Sequence, residues 1–259
     1  MEALDPLHLG FMPLLFLVAA GFFAGLVDSI AGGGGLISLP ACLLAGLPTH
    51  MALGTGKFMS TVGTTASFLT YARGGAIVWR IAAIGVGFCL LGSMAGTHTA
   101  LLVDNELLGK IILFLLPVAA LLTFIPVRRS QREYAPGPVA IYVLTPLLCS
   151  AIGFYDGFFG PGAGSFMLIS LHFVLGMSLI KASATAKCFN LASNVSSLVL
   201  FLLNGKVYFF FAVPMAIGNV SGNIVGSRMA MRVGAKLIRG MLLFSLVLLF
   251  ATLVWRYYG

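Results

Sequence analysis

Charge is what this sequence most plainly lacks. Only 8% of its 259 residues are charged, and seven are acidic, where a soluble domain carries ~25% charged residues. So little polar surface cannot cover a globule of this size, which excludes a water-soluble fold. No long polar stretch remains to build a soluble head on a single-span anchor. Catalytic and metal-binding signatures are missing as well. Cys42, Cys89, Cys149 and Cys188 each lie within an apolar run, form no C-x-x-C pair, and read as small packing residues. His8, His50, His98 and His172 show no metal-ligand spacing, so no metal or other cofactor is expected. Gly54-Thr55-Gly56-Lys57 looks like the tail of a phosphate-binding loop, but Met51 replaces its first glycine and Phe58 its hydroxyl residue. Ser165 and His172 come without a G-x-S-x-G elbow. The sequon at Asn194-Val195-Ser196 falls inside an apolar run and is discarded. Nothing here indicates an enzyme. Met1 to Gly10 contains Glu2 and Asp5 but no basic residue, unlike a signal peptide, so the first apolar run is expected to be a retained helix.

What is present is apolar: 59% hydrophobic residues and a mean hydropathy of +1.06. The apolar residues come in long unbroken runs rather than in strict alternation. The expected fold is therefore an all-α polytopic membrane protein and not a β-barrel. Candidate segments are 11–30, 35–47, 51–72, 76–102, 107–126, 139–158, 165–176, 181–203, 207–230 and 237–256. Segments 35–47 and 165–176 fall short of the ~20 residues a span requires. Each follows a glycine stretch, Gly32-Gly33-Gly34-Gly35 or Gly160-Pro161-Gly162-Ala163-Gly164, so they are expected to be short broken helices.

The two short segments are equivalents in a tandem duplication. A shift of 130 residues superimposes Gly32/Gly162, Gly34/Gly164, Ala52/Ala182, Thr55/Thr185, Lys57/Lys187, Ser67/Ser197, Gly75/Gly205, Gly92/Gly222 and Gly96/Gly226. This divides the chain into a first membrane repeat (1–127), a hydrophilic linker (128–138) and a second repeat (139–259). The distribution of basic residues sets the orientation, and the net charge of +8 reports that orientation rather than nucleic-acid binding. Ten crossings place ten basic residues inside: Arg73, Arg80, Arg128, Arg129, Arg132, Lys181, Arg228, Arg232, Lys236 and Arg239. Lys110, Lys206 and Arg256 fall outside. Re-entrant short segments would give a near-even split. The expectation is ten crossings with both termini outside and two inverted repeats of about five helices each.

Lys57 and Lys187 are the sharpest chemical signal. A lysine at mid-membrane costs ~2.5–3.5 kcal/mol on insertion scales, so two at equivalent positions each need a compensating partner. Snorkelling to an interface is the plain structural alternative. Ser60, Thr61 and Thr64 follow Lys57 at helical spacing, Asn190 and Asn194 follow Lys187, and Ser183 precedes it by a turn. A polar stripe headed by a cation suits an anion's path, although such residues also bond helices together. The glycine stretches offer backbone N–H groups at broken-helix starts, through Gly33, Gly34, Gly35, Gly162, Gly164 and Ser165. Asp28 and Asp156 each lie four residues before a glycine stretch. They are candidates for neutralising the lysines or coupling to H+ or Na+, with a structural ion pair as the alternative. Gly92-x3-Gly96 and Gly222-x3-Gly226 read as close-packing sites.

Two motif pairs carry a resemblance to a known family. Gly25-Leu-Val-Asp-Ser-Ile-Ala-Gly-Gly-Gly-Gly-Leu36, followed by Ala52-Leu-Gly-Thr-Gly-Lys57, resembles the first half of the sulfite exporter TauE/SafE family. Gly153-Phe-Tyr-Asp-Gly-Phe-Phe-Gly-Pro-Gly-Ala-Gly-Ser165, followed by Ala182-Ser-Ala-Thr-Ala-Lys-Cys-Phe-Asn190, resembles the second. The likeness covers nearly the whole chain and is strongest to YfcA-like bacterial inner-membrane members. It implies a plasma-membrane transporter of sulfite, sulfonates or related organosulfur anions, often working outward. Read with the residues, the expectation is a secondary transporter using alternating access, with a passive anion channel as the alternative. The expected partners are a small anion, possible coupling ions H+ or Na+, and the lipid bilayer, with no nucleic acid.

Overall fold

The computed structural model describes residues 11–123 and 136–234, together with Leu237 and Gly240. The rest of the tenth apolar segment (237–256), most of the linker and the first ten residues lie outside the described residues. The described chain forms α1 (Phe11–Ala31), α2 (Gly35–Leu44), α3 (Thr49–Arg73), α4 (Trp79–Leu102), α5 (Asn105–Thr123), a π-helical turn (Ala140–Leu144) running into α6 (Thr145–Phe158), α7 (Ala163–Leu175), α8 (Leu179–Leu203) and α9 (Phe209–Val233). The described residues contain no strand. Five of these segments are long and apolar enough to cross a membrane by length and composition: Leu14–Ala31, Trp79–Leu102, Ala140–Phe158, Leu179–Leu203 and Phe209–Val233. Large apolar side chains such as Leu15, Phe23, Leu91, Phe114, Leu147 and Ile217 are exposed around the bundle. That outer surface suits lipid rather than water.

Local chemistry explains where the helices break. Gly32 and Gly160 adopt φ of +78° and +94°, a region closed to most side chains, and each turns the chain out of the preceding helix. α2 has 10 residues and α7 has 13. At 1.5 Å per residue these reach only about 15 and 20 Å, half to two-thirds of a ~30 Å hydrocarbon core. Segment 139–158 opens with the π turn before α6. Pro146 cannot donate a backbone hydrogen bond, and its ring crowds the carbonyl one turn back. The ladder widens accordingly: the Thr145 amide and hydroxyl both donate to the Ala140 carbonyl.

The elements of the two halves correspond at the 130-residue offset. α3 and α8 start and stop at equivalent residues, each after an extended residue with ψ near 150° (Pro48 and Ser178). Packing exchanges partners between the halves: α1 lies along α9, and α4 lies along α6. The interlock is backbone on backbone. A Cβ at Gly96 would stand 2.0 Å from the Phe154 carbonyl oxygen, and one at Gly222 would stand 2.0 Å from that of Phe22. The close-packing role read for these glycines is what the structure shows. Gly21 and Gly25 on α1, and Gly153 and Gly157 on α6, supply the facing half of each contact.

One exchanged hydrogen bond appears twice. Thr185 Oγ1 accepts from the Val78 amide at 3.1 Å, and Thr55 Oγ1 accepts from the Tyr208 amide at 3.0 Å. Both amides lie at the start of a helix, where no intrahelical acceptor exists. The core divides into two apolar clusters. One holds Tyr71, Ala182 and Phe189; the other holds their offset partners Phe201, Ala52 and Met59. Between them lies the polar layer that forms the candidate site.

Candidate functional site: two buried ion pairs at a shared cavity

α3 and α8 cross antiparallel, since Lys57 reaches Asn194 while Tyr71 reaches Ser183. Each lysine is the ninth residue of its helix and is held in the protein interior, not snorkelled to an interface. Lys57 Nζ lies 3.0 Å from Asp156 Oδ1 and donates to Asn194 Oδ1 at 3.1 Å. Lys187 Nζ lies 2.9 Å from Asp28 Oδ2 and also donates to the Asp28 main-chain carbonyl. Each pair joins the two halves of the chain. The side chains of Lys187, Asp156 and Lys57 are 2%, 6% and 8% exposed, and that of Asp28 is 16% exposed. The four charges cancel, so the cost of burying each lysine is offset locally.

The glycine turns bring the carboxylates to one place. A Cβ on Gly32 would stand 2.2 Å from the Gly164 carbonyl carbon, and one on Gly35 would stand 3.0 Å from Pro161. The broken segments of the two halves therefore touch directly, which any side chain at Gly32 would prevent. Ser165 Oγ fastens the junction by donating to the Ala31 carbonyl at 2.7 Å. Beside it opens a cavity of about 50 Å³ lined by Asp28, Gly32, Gly35, Ser38, Lys57, Ser60, Asp156, Gly160, Gly164, Asn190 and Asn194, with Leu39, Leu53 and Phe159 among its apolar walls. A water needs roughly 10–15 Å³ of such space, so about three to five waters, or one small oxyanion, fill it.

Of the residues singled out in the sequence, Lys57, Ser60, Asn190, Asn194, Gly35, Gly164, Asp28 and Asp156 line the cavity. Lys187 lies behind Asp28 and is absent from the lining, as are Gly33, Gly34, Gly162, Ser165 and Thr64. Thr64 donates to Asp28 Oδ2 at 3.4 Å, and Thr61 turns back to the Lys57 carbonyl. Ser183 donates to the Ile30 carbonyl. Gly162 is the left-handed residue that starts α7, with φ +82°.

Sequence reasoning missed Ser38 on the cavity wall and a row of hydroxyls behind Asp156. Ser193 Oγ donates to Asp156 Oδ2 and also bonds Ser93 Oγ at 2.9 Å. Ser93 reaches Ser197 at 2.7 Å, and Thr97 donates to Ser197 at 2.8 Å. Two four-residue spacings, Ser93/Thr97 and Ser193/Ser197, were the available signal. The four cysteines are buried and free. Among the described residues no group of three or more His, Cys, Asp or Glu could hold a metal ion.

Comparison with known proteins places the chain in a family. The family model for the sulfite exporter TauE/SafE family matches residues 17–253. The chain is 38% identical to a protein named "Probable membrane transporter protein ORF9" from a Sinorhizobium species, over 90% of this chain and 89% of that one. It is 37% identical to a "Probable membrane transporter protein" of Haemophilus influenzae, over 96% and 97% of the two chains. It is 34% identical to "Probable membrane transporter protein YfcA" of Escherichia coli K12, over 98% and 93%. No solved structure matches. Five helices long and apolar enough to cross a membrane, together with relatives of these names, indicate a multi-pass membrane transporter. The chain belongs to the sulfite exporter TauE/SafE family.

Proposed function

We propose that this protein is a secondary transporter of small anions such as sulfite, sulfonates or related organosulfur anions. It moves them by alternating access between inverted halves of the chain, with export as the direction the family name suggests. It resides in the bacterial inner membrane with both termini outside, and H+ or Na+ is the coupling ion. The observation that carries the reading is the cavity where the two glycine turns meet. Within it a lysine ammonium stands beside Asn190, Asn194 and Ser60, and the starts of α2 and α7 adjoin through Gly35 and Gly164. Helix N-termini favour anions. Side-chain amides and hydroxyls add directional hydrogen bonds. The cavity's volume matches a compact oxyanion rather than an extended or aromatic cargo.

Inverted halves are supported by the antiparallel crossing of the equivalent helices α3 and α8, and by the exchange of partners in α1–α9 and α4–α6. Broken segments at corresponding positions of two repeats are a recurring form of transporter binding site. Lys187 serves this site by holding Asp28 in place, and Lys57 serves it by facing the cavity.

The test is counterflow in proteoliposomes, with labelled sulfite, thiosulfate and sulfoacetate as cargo. Unlabelled internal anion is expected to accelerate uptake of the labelled anion. Lys57→Gln is expected to lose most of that uptake. Uptake equal to wild type in both Lys57→Gln and Lys187→Gln would refute the assigned roles, and unitary currents without counterflow would establish a pore in place of a carrier.

A further inference from the structure

An ammonium group has three N–H donors. Lys57 spends one on Asp156 and one on Asn194 while lining the cavity. Lys187 spends two on Asp28, at its carboxylate and its main-chain carbonyl, and does not reach the cavity. Only Lys57 is placed to meet cargo. The site's four charges sum to zero, so an arriving monoanion would leave a net negative charge among walls that include Leu39, Leu53 and Phe159. An unpaired buried ion is penalised by several kcal/mol, and one proton on a carboxylate removes the imbalance.

The two carboxylates are not equivalent hosts for that proton. Asp156 Oδ2 bonds the hydroxyl of Ser193, which continues to Ser93 and from there to Ser197 and the Ser193 carbonyl. Hydroxyls donate and accept, so this row can reverse: a protonated Asp156 donates to Ser193, Ser193 to Ser93, and Ser93 to the carbonyl. Asp28 Oδ2 faces the Lys187 ammonium, which cannot accept, and the Thr64 hydroxyl at 3.4 Å. Protonating Asp28 would also leave Lys187 tied to the Asp28 carbonyl. The charged and titratable groups around Asp156 are Lys57 on α3, Asp28 on α1, Lys187 on α8, Cys89 on α4 and Tyr155 on α6. On α7 the only such group is His172, bonded to the Met177 carbonyl.

Resting on the anion reading above, we propose that Asp156 carries one proton with each monoanion, so that transport is electroneutral anion–proton symport through the Lys57–Asp156 pair, with Lys187–Asp28 as the fixed pair. A proton from water on the loading side binds the Asp156 carboxylate, and the Lys57 hydrogen bond passes from Asp156 to an anion oxygen. On the other side the anion leaves, the proton returns to water and the ion pair re-forms. Direction follows the combined anion and proton gradients, so export proceeds when the outward anion gradient exceeds the inward proton gradient.

The test uses wild-type protein in liposomes containing pyranine, with sulfite, thiosulfate, sulfoacetate and methanesulfonate as probes. Methanesulfonate is a strong-acid anion that binds no proton near neutral pH, so proton flux accompanying it belongs to the protein. One-to-one coupling accumulates it about tenfold per unit of pH gradient, independently of a valinomycin-imposed potential. Asp156→Asn is expected to lose this accumulation, and any net uptake it retains, no longer accompanied by a proton, becomes sensitive to potential. Monoanion uptake without proton flux, accumulation driven by Na+ instead, or accumulation surviving in Asp156→Asn would each overturn the proposal. All three leave the anion reading standing. If no probe moves in wild type, the anion reading falls and the proposal falls with it. If Asp156→Asn does not fold, the wild-type proton stoichiometry decides alone.

Discussion

Replacing Lys57 with Met keeps an unbranched side chain one atom shorter and removes its charge, leaving the Asp156 carboxylate 6% exposed with Ser193 as its remaining partner. Removing one member of a buried pair costs ~3–5 kcal/mol, mostly through the uncompensated charge left behind. The same change at Lys187 strands Asp28, which is 16% exposed and lines the cavity. Water entering there can solvate it, so the cost should fall at or below the lower end of that range. Replacing both members by neutral groups of similar shape removes the stranded charge, so Lys57→Met/Asp156→Asn should recover most of the loss. Reversible unfolding in mixed micelles, followed by far-ultraviolet circular dichroism, measures all four proteins. The expected order of stability is wild type, then the double variant, then Lys187→Met, then Lys57→Met. A double variant no more stable than Lys57→Met, or Lys187→Met as costly as Lys57→Met, would refute the account of burial and charge.

Two further outcomes follow from the helix contacts. Gly157→Ala places a Cβ 2.1 Å from the Ser93 carbonyl oxygen, whereas Gly87→Ala meets nothing within 4 Å. The first should destabilise by roughly 1–3 kcal/mol through overpacking, and the second should stabilise by up to ~1 kcal/mol through helix propensity, both read by the same unfolding assay. Thr55→Val and Thr185→Val each remove the hydroxyl that accepts from a helix-start amide, at Tyr208 and Val78. Each should cost about 1–2 kcal/mol, and unequal losses would show that the two contacts are not equivalent.

Much of the fold was legible because lipid leaves a helical segment few alternatives. The apolar runs gave the helices within a few residues, and the 130-residue offset anticipated the matching bounds of α3 and α8. The π turn before α6 was not anticipated, although Pro146 was the signal for it. Lysines at equivalent positions in apolar helices announced a buried polar site, and the glycine stretches announced the breaks beside it. The hydroxyl row behind Asp156 escaped notice because its members come from α4 and α8, a hundred residues apart, and each looks ordinary on its own helix.

The sequence alone pointed to a helical, multi-pass membrane chain with two lysines in apolar segments 130 residues apart, because hydropathy, residue spacing and the cost of a buried charge are local properties. Tertiary structure alone decided that Lys57 pairs with Asp156 and Lys187 with Asp28, each across the two halves. It also decided that Lys57 faces the cavity while Lys187 lies behind a carboxylate. Pairing and exposure depend on which helices touch and how closely, and those distances are set by glycine-on-backbone contacts between segments far apart in the chain.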